Sequence, residues 1–511
     1  MNLRTYLILA LLGSGLSIFI AIFQPFPGYL DSDYYFGGGI QLAQGKGFTE
    51  PYLWNYLDDP QKLPHPSHTY WMPLSSMITA AGMLVTRETT YQAGRLGFIL
   101  IAGLVPIVSS ALAYNFSKRR DFAVISGLLA VFSIYYAPFL SVPDNYGPYL
   151  VLGGFYFIVL GSWRRYSYFI LGLLAGLMSL ARSDGLMWLG LTLFIVVWRF
   201  NSERKLRSLA VNLFLALSGF LLIMGPWFWR TYSIYSTPLA PGGGHLIWLK
   251  NYNETFIYPA GQLTFTSWLT QGLKNIVFDR LTALRWNLLN AFAAQGGIFL
   301  FPFILIGIWK YRKDERVRLG ILAWLGLLFV MTMIFPYAGY RGGFFHSGSS
   351  LQLLWWTMAP IGLEVVVGMA RKRNLFTPDA FKVFSGALVG ISVLMTAVIF
   401  FIRVKQSWGE GEQSYPKIQA YLHQAGIKPG DIVMARNPPG YYIMTGQPAI
   451  VVPYGNEDTI FAVATRYDAK YLILETAGAA GPIKSLYANT QSQHFKFMSE
   501  IDGTRIFEVQ P

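Results

Sequence analysis

The chain has 511 residues, of which 53% are apolar, 16% aromatic and only 13% charged, whereas about a quarter of an ordinary globular domain is charged. This balance describes a polytopic membrane protein and excludes an ordinary soluble enzyme, and the absence of cysteine removes disulfides, thiolate metal sites and cysteine nucleophiles. The net charge of +14 does not point to nucleic acid: residues 403–511 hold ten Lys/Arg and ten Asp/Glu, so the excess lies in short loops between apolar runs, where membrane topology places it.

In chain order, about eleven spans can be drawn at the ~20-residue scale of a ~30 Å hydrocarbon core. They cover 5–24, 91–114, 122–140, 148–163, 168–181, 186–199, 208–229, 288–309, 319–337, 351–370 and 381–402. The fifth and sixth are short, which suits a re-entrant or tilted pair. The first lacks a small-x-small cleavage site before Gln24-Pro25-Phe26-Pro27 and reads as an uncleaved anchor.

Basic residues orient the spans. Arg4, Lys118-Arg119-Arg120, Arg164-Arg165, Arg199/Arg204/Lys205/Arg207, Lys310/Arg312/Lys313/Arg316/Arg318 and Arg371-Lys372-Arg373 all fall on one side if the spans alternate. The positive-inside rule makes that side cytoplasmic. Two long loops, about 25–90 and 230–287, then lie outside together with the tail from residue 403. In the tail, 431–436, 449–453 and 470–475 read as buried strands. Segments 415–426 and 457–469 read as amphipathic helices, and 495–509 as a hairpin turning at Asp502-Gly503. The expected fold class is therefore mainly α, a transmembrane unit over 1–402 carrying a small extracytoplasmic α/β domain over 403–511.

The first outer loop opens with Asp31-Ser32-Asp33, then Tyr34, Tyr35 and Phe36 and three glycines. Phe36, Ile40 and Ala43 form one apolar stripe, as in a short helix on a membrane surface. Asp31 or Ser32 could simply cap that helix, with Asp33 favouring its positive N-terminus. Two acids at a bilayer exit also sit where a lipid headgroup would present a reactive bond. Farther on, Trp54, Tyr56, Tyr70 and Trp71 are interface-type aromatics. His65 and His68, three apart, are a weak metal-ligand pair, and Asp58-Asp59 before a proline reads as a turn.

Charges within or beside spans are costly unless used. Arg95, Asp144, Arg182, Asp184, Arg341 and His346 all fall at outer ends. The Arg182–Asp184 pair could equally be structural, and Glu364, inside the tenth span, reads as the partner of a buried cation. "FGGG" and "PGGGH" lack the Lys-Ser/Thr and the strand-to-helix context of a phosphate loop. No nucleophile elbow is present either.

In their order these features resemble the GT-C superfamily of integral-membrane glycosyltransferases, in the branch of protein O-mannosyltransferases and lipid A aminoarabinose transferases. "LDSDYYFGGGIQLAQGKGF", "HPSHTYWMPL", "GPWFWRTYSIYSTPL" and "GDIVMARNPPGYYIMTGQPAIVVP" carry the likeness. It implies transfer of a sugar from a polyprenyl-phosphate donor to an acceptor hydroxyl on the outer face of the cell membrane, with inversion. A loop carboxylate, Asp31 or Asp33, would be the general base. His65, Arg182, Arg341 and Arg95 would meet the donor phosphate, and Tyr34, Tyr35, Asp144, Asp184 and His346 the sugar or acceptor. His65 stands where the family has Lys, and Ser32 where it has its second acid. A divalent metal, with His68 as a ligand, stays open, and the acceptor is not specified. The rivals are a transporter or lipid flippase, which would place acids at mid-bilayer on paired broken helices, and a non-catalytic assembly protein.

Overall fold

The computed structural model describes residues 2–203, 205–476, 483–488 and 490–510. Arg204, counted above in a basic loop, lies outside them. Helix dominates. Seven helical segments are long and apolar enough to cross a membrane: Leu3–Ile22, Tyr91–Ser117, Ser183–Phe200, Leu206–Tyr235, Glu315–Ile334, Pro336–Lys372 and Ala380–Gln406. Leu74–Thr86, Tyr146–Leu160, Arg165–Ala181 and Phe301–Lys310 are apolar but shorter.

We number the helices α1 (Leu3–Ile22), α2 (Leu30–Ala43), α3 (Leu74–Thr86), α4 (Leu96–Ser117), α5 (Arg120–Val131), α6 (Tyr146–Leu160), α7 (Arg165–Ala181), α8 (Leu186–Glu203), α9 (Leu206–Tyr235), α10 (Gly272–Asn290), α11 (Phe301–Lys310), α12 (Glu315–Phe329), α13 (Phe344–Lys372) and α14 (Ala380–Phe400). All eleven expected spans fall on helix, but two are broken. Segment 122–140 stops at Val131, where the chain turns through Ile134 at positive φ. Segment 288–309 is interrupted between α10 and α11, where Gly297 and Ile298 both have positive φ. Helix α13 is the buried axis and packs on α4, α5, α6, α11 and α12. Its contacts are backbone-close because small residues face it: a Cβ on Gly153 would stand 1.8 Å from the Ser350 carbonyl. Such approach gives membrane helices the packing that hydrophobicity alone cannot supply.

Helix α2 forms as its stripe predicts, with two corrections. Its N-cap is Tyr29, without a side-chain bond, so Asp31 and Ser32 are inside the first turn and do not cap it. Nor does it lie on a surface, since Ser32 to Gly39 are all buried. The glycine triplet explains this. A Cβ on Gly37 would meet the Tyr52 hydroxyl at 2.5 Å, on Gly38 the Ser76 Oγ at 2.6 Å, and on Gly39 the Thr79 Cγ2 at 2.4 Å. Three glycines on successive positions let α3 and the following loop close around α2.

The tail helices are α15 (Tyr415–Gln424), α16 (Pro438–Thr445) and α17 (Glu457–Tyr467). The strands are β1 (Thr49–Glu50), β2 (Tyr52–Leu53) and β3 (His65–Pro66) in the first loop, then β4 (Ile432–Ala435), β5 (Ala449–Val451), β6 (Ala469–Leu474), β7 (Phe495–Ile501) and β8 (Thr504–Val509). Their sheet has the order β2-β5-β4-β6-β8-β7, parallel from β2 to β6 and antiparallel beyond. The β7–β8 hairpin turns at Asp502 and Gly503, both at positive φ, as the favoured two-residue turn requires. Strand β2, from the first loop, pairs with β5 through Tyr52↔Ala449 and Leu53↔Ile450. The sheet is thus shared by two distant parts of the chain.

Candidate functional site

Four segments bring charged groups together at one place. Asp31 comes from the first turn of α2, Asp144 from the loop before α6, Arg182 from the carboxyl end of α7, and His346 from the first turn of α13. Helix-end dipoles favour acids at N-termini and cations at C-termini, which suits Asp31 and Arg182. The His346 Nε2 lies 3.7 Å from Asp31 Oδ2, and its Nδ1 lies 3.8 Å from Asp144 Oδ1. Its ring stacks on Tyr146 with centroids 4.0 Å apart. Asn145 fixes the tautomer. Its Nδ2 donates to the Tyr35 hydroxyl at 3.2 Å, which turns its Oδ1 to accept from His346 Nδ1 at 2.9 Å. The Nε2 lone pair then faces Asp31. Tyr29 donates to Asp144 at 2.5 Å. Arg182 is held by Asp184, Nε to Oδ1 at 2.8 Å, and reaches Ser347 at 3.5 Å.

Asp31 is half-buried, whereas Asp144 is fully buried. Burial raises the Asp31 carboxyl to about 6, against the lowering pull of Arg182. Burial likewise raises Asp144 to about 7; the Asp31 charge adds to this, and Tyr29, the Asn145 amide and Arg182 oppose it. Like charges in one low-dielectric pocket resist simultaneous ionisation. Half-buried Tyr70 stands within electrostatic reach of Asp31 and Arg182, and Tyr252 within reach of Asp31, Arg341 and Arg436. The Arg341 guanidinium sits 4.7 Å from the Tyr252 ring.

Asp33 belongs to a different group. It is buried against the tail, where Asn437 Nδ2 donates to its Oδ2 at 2.8 Å and to Glu412 Oε1 at 3.0 Å. Burial raises Asp33 to about 7, although its bonds to Glu412 and Asn437 oppose this, and Glu412 is raised well above the usual carboxylate range by burial and by Asp33. Next along, Arg436 lies 3.9 Å from Glu475, which accepts from Tyr415 at 2.7 Å.

The remaining expected site residues fall elsewhere. His65 donates to Asp58 at 2.8 Å, with the Tyr235 hydroxyl 3.3 Å away. His68 turns its Nδ1 to the Trp71 carbonyl at 3.1 Å and sits edge-on to Tyr34. The two histidines therefore make separate bonds, and no described cluster of three metal-capable groups includes His68. Burial depresses His68 to about 3. Tyr34 spends its hydroxyl on the His68 amide at 2.7 Å. Arg95 closes the end of α1, donating to the Ala21 and Gln24 carbonyls at 2.9 and 3.0 Å. Sequence reading missed Tyr29, Asn145, Tyr252, Glu412, Arg436 and Asn437. Only the last three carried a signal, as polar residues flanking tail elements.

No protein-family model and no curated protein matches the chain. Solved structures do. The Archaeoglobus fulgidus oligosaccharyltransferase in complex with Zn and sulfate superposes with a TM-score of 0.62 at 12% identity, over 98% of this chain and 72% of that one. ArnT from Cupriavidus metallidurans, bound to undecaprenyl phosphate, gives 0.57 at 14% identity, over 98% and 97%. Archaeal AglB from Archaeoglobus fulgidus, with an inhibitory peptide and a dolichol-phosphate, gives 0.54 at 11%, over 92% and 69%. The fold is GT-C.

Within this GT-C fold, Asp31, Asp144 and His346 each offer a donor atom, all within 4.8 Å of one another. Two carboxylate oxygens and one imidazole nitrogen, the imidazole oriented through its other nitrogen by Asn145, suit a divalent transition ion. The Arg182 charge alongside works against it. The same three groups and Arg182 also form a metal-free arrangement, an acid facing a fixed cation.

Proposed function

We propose that the chain is a glycosyltransferase that moves one sugar from a polyprenyl-phosphate donor to an acceptor hydroxyl, at the extracytoplasmic face of the cell membrane. In this reading residues 1–402 cross the membrane about eleven times with the N-terminus cytoplasmic, and 403–511 lie outside. The observation that carries the proposal is the convergence of Asp31, half open, with Arg182, Asp144 and His346. The three neighbours of the same fold support it, since their structures hold polyprenyl phosphates or belong to oligosaccharyltransferases.

Asp31 is the proposed base. The acceptor oxygen attacks the anomeric carbon, its proton passes to Asp31, and the bond to the phosphate oxygen breaks with inversion. A base raised to about 6 is anionic at neutral pH yet basic enough to take that proton. Arg182 and Arg341 meet the charge that develops on the leaving polyprenyl phosphate. Half-buried Tyr70 lines the sugar side, fully buried Tyr35 holds Asn145 through its hydroxyl, and Asp184 positions Arg182. In the alternative, metal-bound arrangement, a divalent ion held by Asp31, Asp144 and His346 would supply Lewis-acid stabilisation of the phosphate, and Asp31 would serve as its ligand instead of as the base. Asp33, bound to the tail, positions α2.

The test is transfer by purified protein from a polyprenyl-phosphate hexose or pentose to lipid, glycan and peptide hydroxyls, read by release of polyprenyl phosphate. Asp31→Asn lowers turnover by roughly 10²–10⁴-fold, and Asp33→Asn by far less. Equal turnover in Asp31→Asn and the wild type refutes the assignment.

A further inference from the structure

The end of the molecule opposite in charge to the acidic site holds a cavity of about 560 Å³ between α5, the carboxyl end of α13 and the start of α14. Four cations line it, Arg119, Arg120, Arg371 and Lys382, against two acids, Asp121 and Glu364. Both acids are spent on the inner cations. Asp121 binds Arg119, and Glu364 is shared by Arg119 at 3.7 Å and Arg371 at 3.4 Å. Arg119 is further fixed over the Phe122 ring at 3.9 Å. Arg120 has no acid partner among the described residues, and Lys382 has only Asp379, at 2.9 Å on the surface. The Arg371 Nε is buried without an acceptor.

The floor is apolar, with Val124, Ile125 and Phe381. Leu375, in the α13–α14 connection, and Val383, on α14, stay 69% and 67% exposed. Val383 lies in the expected span 381–402 and Leu375 just before it, so the cavity opens where lipid headgroups meet acyl chains. We propose that this cavity binds the phosphate headgroup of an anionic phospholipid, with its acyl chains along the exposed apolar side of α14. With Lys382 paired to Asp379 at the rim, Arg120 carries the unmatched charge that selects an anionic over a zwitterionic headgroup. This site lies outside the proposed transfer chemistry, and neither assignment depends on the other.

Native mass spectrometry of the full chain in detergent, titrated with phosphatidylglycerol or phosphatidylcholine, tests it. The wild type retains phosphatidylglycerol in preference to phosphatidylcholine, and millimolar inorganic phosphate does not displace it. Arg120→Gln combined with Lys382→Gln, both at exposed positions, weakens phosphatidylglycerol retention by roughly tenfold to thirtyfold. Equal retention of the two lipids by the wild type overturns the proposal without any variant. Unchanged retention in the double variant, or displacement by inorganic phosphate, overturns it as well.

Discussion

Replacing Glu412 by Gln tests the joint that seats α2 against the tail. Asp33 and Glu412 accept from the same Asn437 amide nitrogen, and each stands within hydrogen-bonding reach of the other. Two buried carboxyls so placed share one proton more readily than they hold two charges. Burial takes Asp33 from the ordinary 3.8 to about 7. About three pKa units correspond to ~4 kcal/mol. Because the folded-state value is raised, the joint is fully stable below about pH 4 and loses that stability as pH climbs through about 7. Between pH 5 and 8 about two of those units apply, ~3 kcal/mol; Glu412→Gln keeps the shape and removes one of the two acids, so we expect that loss to shrink by about half, ~1.4 kcal/mol. Hydrogen exchange of the Pro438–Thr445 helix, corrected for intrinsic rates, would read this as roughly tenfold retained protection at pH 8. Parallel pH dependence in variant and wild type would refute the shared proton.

Arg182→Met removes the charge that lowers Asp31. Transfer should fall by about 10²-fold or more, and the acid limb of the rate profile should move above pH 6, with Arg182→Lys restoring it. A limb that stays put would disconnect Arg182 from Asp31. Arg95→Ala deletes two bonds to the end of α1; it should lower the thermal midpoint by the equivalent of about 1–3 kcal/mol and leave the donor KM unchanged. A raised KM at unaltered stability would return Arg95 to the donor site.

Much of the helical frame was readable because apolar runs near bilayer length have few alternatives. The two breaks were hidden: the turn at Ile134 lies in a charge-free, largely apolar stretch, and the one at Gly297 depends on positive φ that glycine permits without demanding. The α/β character of the tail was readable from alternating buried strands and amphipathic helices. Asp31, Asp144, Arg182 and His346 could each be singled out as charges beside spans, but not grouped, since Asp31 and His346 meet across 315 positions. Local pattern carries no information about such pairings. Nor could it separate Asp31 from Asp33. That distinction comes from Asn437, which is 404 residues from Asp33. His65 and His68 share a spacing but point to different partners, because β3 ends between them and His68 adopts positive φ.

Strand β2 has a consequence for how the molecule can be taken apart. A strand donated by the first loop and seated beside β5 makes the tail a graft that cannot be lifted off cleanly. Expressed alone, residues 403–511 would expose the β5 edge, which pairs readily with foreign chains. A chimera that exchanges tails between related chains must carry Tyr52 and Leu53 with them. The loop strand and the tail form one sheet and have to be moved together.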